Sequence, residues 1–182
     1  MSTIRNVRRA FVAIATQGAL TLSAHAASPD YLSRFMAADN EQKLAYCALA
    51  TSMKATSLRY AAMEHGGLDI AAAESAWKEI DKFEIRGLVF YRLLHMLGEQ
   101  RAAAAEATAQ SASVETGLAD RAVAREQQLK IGEVCADIAF DAMVAKDARI
   151  KLIESNFRDT LKSDRAELKA DFIGRAIAPY HD

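Results

Sequence analysis

Pro29 and Pro179 are the only prolines, and the roughly 150 residues between them carry no helix-breaking imino acid. An interior proline removes a backbone donor and clashes with the preceding turn, so its absence over this length leaves long helices open. The same stretch is rich in alanine, leucine and charged residues, and period-two runs of β-branched residues are absent. The fold class this predicts is all-α.

The first 27 residues have a different character. Arg5, Arg8 and Arg9 precede an acid-free, mostly apolar run from Ala10 to Leu22, which Ala24-His25-Ala26 closes. A charged start, a short apolar run and a small-x-small site are the parts of a secretory signal. The run is shorter than the about 20 apolar residues a bilayer core requires. Cleavage is expected after Ala26 or Ala27, which divides the chain into a signal peptide, 1–27, and one helical domain, 28–182. The whole chain has 23 Lys+Arg against 24 Asp+Glu, and the signal removes three arginines, leaving 20 against 24, a net charge near −4. That balance offers no basic stripe for nucleic acid or an anionic membrane surface. No cysteine follows the cleavage site to carry a lipid anchor.

Capping signals divide the domain. Ser28-Pro29-Asp30 opens a short segment from Tyr31 to Ala38, and Asp39 with Gln42 forms a capping-box pattern. The long helix that follows is expected to reach about Glu64. Tyr46, Leu49, Met53, Thr56, Tyr60 and Met63 share one of its faces, and Leu44, Cys47, Thr51, Ala55 and Leu58 share an adjoining one. Gly66-Gly67 ends it, and Asp69 caps a second helix with a core stripe of Ala76, Ile80, Phe83, Gly87, Phe90, Leu94 and Leu97. Gly87 marks either a close crossing or a kink. Residues 101–117 offer nothing larger than a methyl in their first half, then several hydroxyls, and predict a turn over about 107–116. A third long helix is expected from Leu118 to Ala145, with Ile131, Cys135, Ile138 and Ala142 inward. Ile150, Ile153, Phe157 and Leu161 mark a fourth region, and Ser163-Asp164 starts a last helix. The expected architecture is a bundle of three long antiparallel helices plus a shorter, broken C-terminal one.

Cys47 and Cys135 are the only cysteines, and in an exported chain a pair reads as a disulfide. With three long helices the first and third run parallel. Cys47 would then lie about seven residues into its helix and Cys135 about seventeen into its own, an offset near 15 Å. Bridged Cα atoms must come within about 7 Å. Staggered helices, a crossover through 101–117, or free thiols would each resolve this.

Signatures of chemistry are sparse. His65, His95 and His181 are the histidines outside the signal, and no Glu-x-x-His pair or His-Glu-x-x-His run occurs. Met63 with His65, and His95 with Met96, are couples suited to copper, but a helical hairpin turning at Gly66 puts them at opposite ends. No catalytic residue, metal ligand set or cofactor motif is predicted, and an enzyme assembled from separated acids has the least support. The expected function is a periplasmic protein-binding module, of the inhibitor, immunity or adaptor kind, acting on an envelope or secreted partner. Trp77, Arg86 and Tyr91 are its candidate surface, since these residue types dominate interface hot spots. An uncommitted apolar stripe is equally compatible with a homodimer. The alternative is a carrier of a small molecule, haem or metal, using a pocket around His95, Met96, Tyr91 and Phe90.

Overall fold

The computed structural model describes residues 30–178. Residues 1–29 and 179–182 and the side chain of His65 lie outside the described residues, and with them the expected export signal and its expected cleavage site, Ser28-Pro29 and His181. Among the described residues every regular element is helical, as expected. They are α1 (Tyr31–Ala37), α2 (Asn40–His65), α3 (Ile70–His95), α4 (Glu99–Ala119), α5 (Arg121–Val134), a π-helical turn (Cys135–Ala139), α6 (Phe140–Lys146), α7 (Arg149–Thr160) and α8 (Lys162–Ile177). The Asp39–Gln42 capping box forms at the start of α2, and Asp69 accepts from the Ala72 N–H at the start of α3.

The expected three-helix layout is corrected by α4. The stretch predicted to turn, about 107–116, lies inside a 21-residue helix, and Ala102, Ala105, Ala109, Ala112 and Thr116 make one buried stripe along it. Methyl groups alone suffice here because they let α4 lie close against its neighbours. Its larger apolar residues, Val114 and Leu118, face outward, so α4 packs by proximity rather than by side-chain size.

α2 is the central member. Leu44, Ala45, Tyr46 and Cys47 are consecutive and all buried, so a full turn of the helix is enclosed. The face read from Tyr46 to Met63 is buried only at its start, and Tyr60 is 63% exposed. The adjoining stripe through Cys47, Thr51 and Ala55 is the inward one. Two glycines let neighbours approach it. A Cβ at Gly87 of α3 would sit 2.8 Å from Thr51 Oγ1, and one at Gly132 of α5 would sit 2.6 Å from the Ala50 carbonyl oxygen. Gly87 is therefore a close crossing.

With α4 counted, α5 runs antiparallel to α2: Cys47 meets Cys135, Gly132 meets Ala50, and Arg125 reaches Ser57. The height offset disappears, and Cys47 and Cys135 are disulfide-bonded with Cα atoms 5.4 Å apart. The π turn holds one residue more than an α turn and slips the register. Ala139 and Phe140 point inward, while Ile138, predicted inward, is 53% exposed. Arg86 of α3 braces this turn: it donates to the Ala136 carbonyl, lies 4.4 Å from the Phe140 ring centroid and pairs with Asp137 at 3.5 Å.

α7 and α8 form the broken C-terminal member, jointed at Leu161, two residues before the predicted start. They run back along α3, so Arg158 reaches Asp81, Phe172 packs on Trp77, and Lys169 meets Glu74 at 3.1 Å. The end of α8 is tied to the α2–α3 turn by Gly67 N–H to Ala178 O (3.1 Å) and Leu68 N–H to Ala176 O (3.0 Å).

Candidate partner-binding groove

α3 and α4 both lean on α2 and leave an open groove of about 540 Å³ between them. Its floor is Ala45, Ala48, Leu49 and Ser52 of α2, spaced at three, four and seven residues along one face. One wall repeats that spacing with Glu84, Gly87, Leu88 and Tyr91 of α3, and Glu106, Ala109 and Gln110 of α4 form the other. Small residues on the floor follow from the same need that made α2 approachable elsewhere.

Charge closes both ends. At one, Arg165 of α8 donates to Asp81 and to Glu84 (2.9 Å), Arg59 pairs with Glu84, and the Arg165 guanidinium lies 5.4 Å from the Trp77 ring. The network continues through Arg158 to Glu154, which is buried. Burial alone would raise the Glu154 carboxyl, but hydrogen bonds from Lys151 and Arg158 bring it below its ordinary value.

At the other end stands His95. Its Nδ1 lies 3.1 Å from Glu99 Oε2, its Nε2 lies 3.0 Å from Glu106 Oε1, and the Tyr91 ring stacks at 4.2 Å. A neutral imidazole has one N–H, so it cannot donate to two carboxylates; the imidazolium can. Hydrogen bonding to Glu99 first, and to Glu106, accordingly raises His95 above its usual pKa.

The predicted surface does not assemble. Trp77 and Arg86 are nine residues apart on α3, two and a half turns at about 3.6 residues each, and so leave the helix on opposite sides. Trp77 is 6% exposed beneath Phe172, and Arg86 is spent on the π turn. Only Tyr91, at 49%, faces outward. The carrier pocket also divides. Phe90 is buried against Phe140, Tyr91 points to the groove, and Met96 is exposed. Both His95 nitrogens already face carboxylates. Among the described residues no group of three or more His, Cys, Asp or Glu side chains is placed to hold a metal ion.

Glu106 and the α2 floor were not among the predicted site residues. The three- and four-residue spacing of the α4 alanines signals the helix that carries Glu106, and the spacing of Ala45, Ala48, Leu49 and Ser52 signals the floor. No family model, curated protein or solved structure matches the chain.

Proposed function

We propose that this is an exported helical binding module, an inhibitor, immunity or adaptor protein of the periplasm, and that the α2/α3/α4 groove receives an amphipathic helix of its protein partner. The observation that carries this reading is the shared spacing of floor and wall. Ala45, Ala48 and Leu49 of α2 and Gly87 and Leu88 of α3 make two adjoining stripes of small and apolar side chains, the surface into which ridges of another helix fit, and Glu106 and Gln110 of α4 give a polar rim. The exposed Tyr91 at the rim is the anchor, and Leu88 and Leu49 are the apolar contacts beside it. A disulfide-bridged frame favours such binding because little ordering entropy is lost on association.

The test is photo-crosslinking from position 91, with position 152 as the control. Leu152 is exposed and lies on α7, outside the groove. The expected result is a polypeptide adduct from 91 only, mapping to a helical segment, and loss of the complex in Tyr91→Ala. Equal adducts from both positions would sink the groove assignment. A groove of this volume also lies within the range of small-ligand sites, about 300–1,000 Å³, which favours the carrier as second reading. A small mass surplus in native mass spectrometry, lost on denaturation, would establish that reading instead.

A further inference from the structure

On the other side of α4 an open cleft of about 450 Å³ lies between α2, α4 and α5. Arg121 and Arg125, one helical turn apart on α5, both line it. The hydroxyl-bearing residues Ser52, Thr56, Ser57, Tyr60 and Ser113 line the rest of it, and no carboxylate does. Arg34, Arg59, Arg101 and Arg165 each have a carboxylate partner. Arg121 and Arg125 have none among the described residues. Arg92 is likewise unpaired, but it lines neither the groove nor this cleft. The acids beside the pair in sequence are engaged: Asp120 accepts from the Ala122 and Val123 N–H groups, both at 3.0 Å, and Glu126 takes Lys130 at 2.7 Å.

Two like charges at i, i+4 repel, and no carboxylate among the described residues pairs with either. Arg125 Nη2 extends across the cleft to Ser57 Oγ at 3.4 Å, so its guanidinium is held over the opening. Ser113 accepts from Gln128 at 2.6 Å and keeps its own O–H to donate. Met53, Leu129 and the Tyr60 ring add an apolar side.

We propose that this cleft binds a phosphorylated polyol, a small sugar phosphate in chemical class. Two guanidiniums match a phosphate monoester, which carries about −1.5 to −2 charge at neutral pH and accepts forked hydrogen bonds. The ring of hydroxyls matches the polyol, with Tyr60 against its less polar face. The cleft shares Ser52 with the groove floor, but its arginines and its remaining lining residues belong to it alone, and the assignment does not rest on the partner proposed for the groove.

Isothermal titration of the purified protein with glucose 6-phosphate, glucose and inorganic phosphate tests the assignment. The sugar phosphate is expected to bind with Kd at or below about 1 mM, and each fragment at least about tenfold more weakly. Arg121→Gln/Arg125→Gln is expected to lose at least about tenfold in affinity, with the melting temperature unchanged or raised because a repulsive pair has gone. Tyr60→Ala, an exposed position, is expected to lose about threefold or more and serves should the double variant not fold. Equal binding of glucose, equal binding of inorganic phosphate, or wild-type affinity in the double variant would each overturn the proposal. So would binding to phosphatidylglycerol vesicles without binding to glucose 6-phosphate, which would assign the cleft to a lipid headgroup.

Discussion

Gly132 faces the Ala50 carbonyl so closely that a Cβ on it would lie 2.6 Å from the oxygen and 3.1 Å from the carbonyl carbon. At Gly87 the obstacle is different: the Thr51 hydroxyl, 2.8 Å away. One neighbour is backbone, which cannot step aside, and the other is a side chain, which can be removed.

Gly132→Ala should therefore destabilise the fold by about 2–3 kcal/mol, the overpacking penalty exceeding the alanine helix preference of about 1 kcal/mol. Gly87→Ala should cost about 1–2 kcal/mol, and adding Thr51→Ala should restore part of it. Chemical denaturation of the single and double variants measures both. A neutral Gly132→Ala would mean that α2 and α5 do not cross where the structure puts them.

His95 links stability to pH. Its folded value is raised above the ordinary 6.5, so its contribution is complete below 6.5 and is lost as pH rises through the folded value. The melting temperature of the wild type relative to His95→Gln should fall across that window, and the imidazole resonances should titrate above 6.5. Titration at or below 6.5 would remove the two-carboxylate clamp.

Arg86 joins α3 to the π turn through a hydrogen bond, an ion pair and a ring contact. Arg86→Ala should cost about 2–3 kcal/mol, whereas Tyr91→Ala should stay within about 0.5 kcal/mol. Thermal denaturation of the two variants separates a structural arginine from a surface tyrosine. Similar losses would contradict the positions assigned to them.

The bridge between Cys47 and Cys135 closes a sequence separation of 88. The loop-entropy model gives about 4–5 kcal/mol for a loop of this length, so Cys47→Ser/Cys135→Ser should lose most of that. Reductant should lower the wild-type unfolding midpoint toward that of the double variant and leave the variant unmoved.

Much of the fold is legible in the residues themselves. Asp39, Asp69 and Gly66-Gly67 announce the α2–α3 hairpin, and the stripe from Ile80 through Phe90 to Leu94 is buried as its spacing predicts. What was hidden depends on partners. The alanines of α4 carry the right spacing but too little surface to suggest burial until the close approach to α2 is known. The π turn leaves no local mark, because an extra residue in a helix is stabilised by what braces it, here Arg86 from another helix. For the same reason Arg86 resembled a contact for some other protein. Tyr91 kept its outward place because the groove lies beside it. Glu99 and Glu106 both stand on α4, so their approach to His95 becomes visible only once that helix is in place beside the end of α3.

The tie between the α2–α3 turn and the end of α8 joins residues more than a hundred positions apart. Helical bundles fold quickly when their contacts are local, and this one gives up part of that advantage. A chain delivered from its N-terminus can pair α2 with α3 early, but the turn between them gains its last backbone partners only when the final helix has arrived. Shortening that helix from its C-terminal end would therefore loosen a turn made by the first half of the sequence, and the order of synthesis becomes part of how the molecule closes.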